Sequence, residues 1–200
     1  WWLGGSAYHE LQKVQQVSSR DGIDNIIRCF NGQKFFVDNL TLDFINPPEQ
    51  SHTQLSENEA SCVLLIRVDS DPKSSILLTG DISKRVEKNL MQFSYLPKIY
   101  MMSAPHHGSK TSSSYGFIRT LDPVYVLISA GHLSRYRHPN KAVLERYMSN
   151  NTEIIRSDQL GTIQFRYRNG EWYGPFCIKY KPRHIWQSAD NTDTCYERLN

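Results

Sequence analysis

The order of apolar segments predicts a mixed α/β layered domain: strand-like runs come first, and strands alternating with helices follow. Length agrees, since 200 residues suffice for one domain with a sizeable core, or for one domain and a small appendage. Composition agrees as well. With 39% hydrophobic, 22% charged and 12% aromatic residues, the chain is neither disordered nor fibrous nor a disulfide-dense miniprotein. Its longest apolar runs, 62–66 and 124–128, fall far short of the roughly 18 to 20 residues of a membrane span.

Each element has its own signal. Ala7, Leu11, Val14 and Val17 share one helical face, which predicts a short amphipathic helix over 6–17. Segments 26–30, 34–37 and 41–45 read as strands, separated by the turn pairs Asn31-Gly32 and Asp38-Asn39. From Asn46-Pro47-Pro48 to Glu59 the chain is polar and aperiodic, a surface loop. Segments 62–68 and 75–79 form a predicted hairpin across Asp69-Ser70-Asp71-Pro72. Ser83 is placed to cap a helix reaching about Phe93, with Val86, Leu90 and Phe93 on one face. Strands are expected at 99–102, 124–129, 153–156, 162–167 and 176–180, and helices at 115–121 and 141–149, the latter led in by Pro139. After Pro182 comes a polar tail in which Trp186 is the one anchor candidate, so the domain is expected to span 1–181 and the tail 182–200.

The four cysteines, Cys29, Cys62, Cys177 and Cys195, contain no Cys-x-x-Cys pair, which argues against a structural zinc site. Cys62 and Cys177 lie in apolar runs, where a free cysteine is expected to serve as a small core residue. The net charge of +3 says little about partners, but its distribution says more. Arg166, Arg168, Lys179, Lys181 and Arg183 stand against Glu171 alone, interleaved with Phe165, Tyr167, Trp172, Tyr173, Phe176 and Tyr180. Such a stretch suits a phosphate backbone and stacked bases. It equally suits an edge hairpin with solvated basic faces and half-buried aromatics.

Three polar segments each follow an apolar strand, the place where α/β folds put reacting groups. In Leu77-Leu78-Thr79-Gly80-Asp81 a carboxylate leaves the strand behind a glycine. It is a candidate ligand, or equally an acidic residue complementing a helix dipole. Ala104-Pro105-His106-His107-Gly108-Ser109 places two imidazoles, common transition-metal ligands, ahead of small residues that let a phosphate approach. Adjacent side chains diverge, so one of the two is expected to bind a given metal. Gly131-His132-Leu133-Ser134-Arg135-Tyr136-Arg137-His138-Pro139 adds guanidinium groups and a phenol that suit phosphate, with His138 a ligand or general acid. His132 reads as a solvated loop residue, and His9, His52 and His184 as surface residues. Competing motifs fail: Ser109 stands where a phosphate-binding loop needs glycine before Lys110, and Gly-x-Ser-x-Gly, His-Glu-x-x-His and Gly-x-Gly-x-x-Gly are absent.

Together, Asn58-x-x-Ser61-x-Val63-Leu64, Leu77 to Asp81, Glu87, His106-His107-Gly108-Ser109-x-x-Ser112, Tyr136-x-His138-Pro139 and Asp158-x-x-Gly161 resemble, in order and spacing, one family domain. It is the C-terminal metallo-β-lactamase-like domain of the ComEC family of competence DNA-uptake channels, and the likeness covers about residues 55–168. The resemblance implies an αββα sandwich with its N-terminal part incomplete, and a metal-dependent nuclease that degrades the strand not imported. By the same resemblance Asp81 and His106 are metal ligands. With His138 they are the catalytic residues, while His107, Gly108, Ser109, Lys110, Tyr136 and Arg137 are candidates for phosphate contact. Manganese or zinc, two ions in the intact domain, is the implied cofactor. DNA, single- or double-stranded, and the parent's channel domains are the implied partners of a soluble domain in a cell-membrane protein.

The family's His-x-Asp-x-Asp-His motif should precede Gly4-Gly5, where Trp1-Trp2-Leu3 stands. The first residues also carry neither an initiator Met nor a signal peptide, so the chain reads as cut from something longer. The expectation is therefore weak or absent activity in this chain. The alternatives are a non-catalytic DNA-binding or channel-associated module of the same fold, or a stand-alone hydrolase of small phosphoesters.

Overall fold

The computed structural model describes residues 2–3, 27–49, 55–92, 96–131, 138–178 and 193–194. The helix expected over 6–17 lies outside them. Strands β1 (Trp2–Leu3) and β2 (Ile27–Arg28) form a short parallel pair. The main sheet has seven strands in chain order: β3 (Lys34–Val37), β4 (Leu40–Asn46), β5 (Val63–Val68), β6 (Asp71–Leu78), β7 (Met101–Ser103), β8 (Tyr125–Ile128) and β9 (Glu153–Arg156). From β3 to β6 the pairing is antiparallel, and from β6 to β9 it is parallel.

Connection length dictates that change. Tight turns join the antiparallel neighbours β3 to β4 and β5 to β6, whereas a parallel neighbour needs a crossover. The crossovers carry helices α1 (Lys84–Leu90), α2 (Tyr115–Leu121) and α3 (Lys141–Ser149), and a single turn, α4 (Ser157–Leu160), follows β9. Val126 and Ile128 join Leu65, Leu77 and Met102 in a core against Val86, Leu90, Phe117, Leu121, Val143 and Tyr147 of the helices. Each such large apolar side chain contributes on the order of 1.5–3 kcal/mol by leaving water. The alternating residues Tyr125 and Leu127 project from the other face of the same strand, as the two-residue period requires.

That second face is covered by the hairpin of β10 (Thr162–Arg168) and β11 (Glu171–Ile178), to which β12 (Asp193–Thr194), within the expected tail, adds a short third strand. Along β10 every second residue points inward. Trp172 stacks on Tyr100 at 5.4 Å with the rings 8° from parallel, and Phe165 meets Tyr125 edge-on at 5.2 Å. The inward aromatics thus pack the domain, as the edge-hairpin alternative anticipates, and Arg166, Arg168 and Tyr173 face out.

The cysteines and the start of β6 depart from expectation. Cys62 is no free core thiol: it is bonded to Cys29, with Cα atoms 6.0 Å apart, tying the segment after β2 to the start of β5. Cys177 is disulfide-bonded too. The strand expected at 75–79 starts at Asp71, so the turn is the Asp69-Ser70 pair alone; Pro72 is tolerated because Val68 pairs with Asp71 and the ladder resumes only at Ile76.

Candidate metal and phosphodiester site

Consecutive parallel strands deliver the candidate residues to one edge of the sheet. Asp81 follows β6, His106 and His107 follow β7, and His138 lies between β8 and α3. Gly80 makes the first turn possible. Its φ is +57°, and a Cβ there would stand 2.8 Å from Ser61 Cβ, so a side chain is excluded on conformation and on space. Ser61 Oγ accepts from the Asp81 amide at 3.1 Å, and the Gly80 carbonyl accepts from the His106 amide at 3.0 Å. The two loops are thereby fastened to each other beside the carboxylate.

The Pro105–Gly108 segment is a 3-10 turn in which His106 and His107 both take left-handed backbone conformations, φ 49° and 55°. Two such non-glycine residues in succession cost about 1–2 kcal/mol each. The surroundings hold them there. Ser112 Oγ donates to the carbonyls of Pro105 and Ser109, and Gly108, φ +79°, packs so closely that an added Cβ would lie 2.8 Å from Pro139 Cβ. Glu87 of α1, fully buried, accepts from the amides of Ser113 and Ser114 at the far end of the same loop. Tyr147 donates to Ser113 Oγ, and Arg146 donates to the carbonyls of Ser112 and Ser113. Burial pushes the Tyr147 phenol well above its ordinary value, the Glu87 charge adding to the effect while the Ser113 bond and Arg146 oppose it.

His107 Nδ1 lies 2.8 Å from the Ser129 carbonyl, an acceptor only, so that nitrogen carries the proton. Its Nε2 then faces Asp81 Oδ1 at 3.4 Å, both side chains being about half exposed. Protonated, this nitrogen pairs with the carboxylate; unprotonated, it turns a lone pair toward a negative oxygen, an arrangement that attracts a cation. Two donors on one tetrahedral cation stand about 3.3 Å apart. The His106 ring lies 5.8 Å from that of His138 and 6.5 Å from that of His107. Burial holds the His138 imidazole below its ordinary pKa; electrostatic interaction with the neighbouring His106 and His107 imidazoles adds to this and Asp81 opposes it.

The donor types, one carboxylate and neighbouring imidazoles, fit a divalent transition metal. Among the described residues, however, no three His, Cys, Asp or Glu side chains form a group that could hold a metal ion.

Of the expected phosphate contacts, Lys110 is exposed and Gly108 sits against Pro139. Ser109 is nearly buried, its hydroxyl 3.0 Å from Thr111 Oγ1. Tyr136, Arg137 and His132 lie outside the described residues, as do His9, His52, His184 and Trp186. Ser129, which positions His107 through its backbone carbonyl, carries no sequence signal for that role, whereas Ser61, which positions Asp81, lies in the Asn58-x-x-Ser61 motif of the family likeness.

The fold and this edge define a mixed α/β domain whose titratable groups gather where its parallel strands end. The chain is a homologue of the ComEC-family competence proteins, aligned with their C-terminal portion. It is 32% identical over 183 residues to ComE operon protein 3 of Bacillus subtilis (strain 168), covering 92% of this chain and 22% of that protein. It is 31% identical over 135 residues to Competence protein ComA of Neisseria gonorrhoeae, covering 66% and 19%. With Recombination protein 2 of Haemophilus influenzae it shares 31% over 179 residues, covering 84% and 22%. The chain thus spans about a fifth of the length of these relatives. No protein-family model matches it. Among solved structures it has a loose likeness to the CmlA beta-hydroxylase E377D mutant, with a TM-score of 0.43 and 11% identity, over 68% of this chain and 33% of that one. Among the described residues no helix is long and apolar enough to cross a membrane.

Proposed function

We propose that this chain is the DNA-processing domain of a ComEC-type uptake protein, of metallo-β-lactamase-like αββα architecture, and that its chemistry is hydrolysis of phosphodiesters in the strand that is not imported. The observation that carries the reading is the convergence of Asp81, His106, His107 and His138 from successive strand ends. Asp81 and His106, with His107 beside the carboxylate, are the residues that would hold manganese or zinc. A bound divalent ion supplies Lewis acidity and a hydroxide available near neutral pH.

The remaining work falls to the chain itself. The Ser129 carbonyl fixes the His107 ring so that Nε2 is the nitrogen presented to the site. Burial favours the neutral form of His138, the state in which an imidazole accepts a proton. Lys110, exposed just beyond the imidazoles, supplies positive charge for a phosphate. Disulfides at Cys29–Cys62 and at Cys177 support a location on the oxidising side of the membrane. A second reading, a DNA-binding module that does not hydrolyse, is favoured by the lack of a group of three donors among the described residues.

A manganese-supplemented assay on labelled single- and double-stranded DNA separates the two. It compares this chain with one given a His-x-Asp-x-Asp-His segment ahead of Gly4-Gly5, and manganese binding is followed by electron paramagnetic resonance. The proposal expects the longer chain to bind manganese and cut, and Asp81→Ala and His106→Ala each to abolish both while DNA stays bound. Undiminished cleavage by both variants refutes the site. DNA binding without cleavage by either chain establishes the non-catalytic module.

A further inference from the structure

Helices α2 and α3 enclose a groove of about 380 Å³ on the layer away from the hairpin, lined by Tyr115, Ile118, Arg119, Arg146, Ser149 and Asn150. The lining holds two guanidinium groups and no carboxylate. Of the acids beside it, Asp122 is engaged by Lys98 at 3.4 Å and by Asn150 Nδ2 at 3.2 Å, and Glu145, one helical turn before Ser149, lies 3.9 Å from Lys141. Arg119 has no hydrogen-bond or ion-pair partner among the described residues. Arg146 is fixed differently: Nη1 donates to the Ser112 and Ser113 carbonyls at 3.1 and 2.9 Å, and its Cζ lies 5.7 Å from the centre of the Tyr115 ring. Tyr115 is 58% exposed at the mouth of the groove.

We infer that this groove binds the backbone of a single nucleic-acid strand, Arg119 and Arg146 taking a phosphate and Tyr115 stacking a base. Guanidinium groups present planar donor forks to phosphate oxygens, and an aromatic face takes any base without regard to sequence. An arginine held by the protein has little side-chain freedom left to lose on binding. The hairpin's outer face differs in setting a carboxylate across from one of its arginines. On the outer face of the hairpin Arg166 lies over Phe176 and donates to Gln164 Oε1, while Arg168 stands across the ladder from Glu171. The groove is also tied to the loop that carries His106 and His107, because Arg146 clasps that loop at Ser112 and Ser113. The inference rests on DNA as substrate and concerns where the strand is held, not how it is cut.

The test is fluorescence anisotropy with a labelled oligothymidylate of about 16 nucleotides and a matching duplex. Salt is varied between about 50 and 200 mM. Arg119→Gln is expected to weaken binding of both and to lower the salt slope by about one. Tyr115→Ala is expected to weaken the single strand by about fivefold or more and to spare the duplex. Both positions are exposed, and circular dichroism verifies that the variants fold. Unchanged affinity and slope in both variants overturn the groove, as does a loss confined to Arg166→Glu/Arg168→Glu, which moves the strand to the hairpin. A wild-type chain that binds no oligonucleotide overturns the groove and the DNA reading together. Absent hydrolysis with Arg119-dependent binding upholds the groove and removes only the proposed activity.

Discussion

Replacing Cys29 and Cys62 by serine tests the covalent tie between the segment after β2 and the start of β5. The bond closes a span of 33 residues. In the chain-entropy description, closing such a span removes about 12.5 cal/mol/K from the unfolded ensemble, or about 3.7 kcal/mol at 25 °C. For a chain of this size each kcal/mol moves the melting temperature by about 2–4 °C, so the double variant should melt about 7–15 °C below wild type. The assay is thermal unfolding by circular dichroism, with peptide mapping under non-reducing conditions to verify the Cys29–Cys62 link in wild type. Serine substitution leaves the bond at Cys177 in place, which a reductant would not. A shift under about 2 °C in a wild type shown to carry the bond would refute the entropic reasoning, because the unfolded span would then be restrained by something else.

Gly108→Ala should destabilise the domain by about 2–4 kcal/mol, from the left-handed backbone and the contact with Pro139, measured by urea unfolding. Glu87→Ala leaves the Ser113 and Ser114 amides without their acceptor and should cost about 3 kcal/mol or more, with Glu87→Gln recovering part, in the same experiment. Tyr147 keeps its proton above the ordinary tyrosine value of 10 when folded, so the stability it contributes is complete below that pH and falls as pH rises beyond it. Tyr147→Phe should therefore raise the midpoint of alkaline unfolding while losing about 1 kcal/mol at neutral pH with the Ser113 bond.

The helices over 115–121 and 141–149 are legible because both ends of the argument are local. Their periodicity is clear, and Ser114 and Asn140 accept from Phe117 and Ala142 amides, as capping residues should. The strand expected at 176–180 begins instead at Glu171. Gly174-Pro175 interrupts the apolar pattern and hides the first half of that strand. Asn169-Gly170, both with positive φ, is the pair a two-residue hairpin turn favours, and it signals the earlier start. The disulfide is not legible, since nothing local distinguishes Cys29 from the other candidates for Cys62. The candidate site is legible as a set of residue types, Asp81, His106, His107 and His138, because each follows an apolar strand. What no pattern conveys is that His107 Nε2, rather than a nitrogen of His106, faces Asp81. That outcome depends on two left-handed residues and on a carbonyl 22 positions away.

Strand β6 is the seam of the sheet, antiparallel to β5 and parallel to β7. The hairpins on one side close over a few residues and can form in microseconds, whereas each pairing on the other waits for a crossover to be ordered. Asp81 therefore follows the last strand of the locally paired half, and its imidazole neighbours follow strands of the other. A chain arrested with only the antiparallel half paired would present an unpaired β6 edge, open to other strands, with Asp81 apart from the imidazoles that follow β7 and β8.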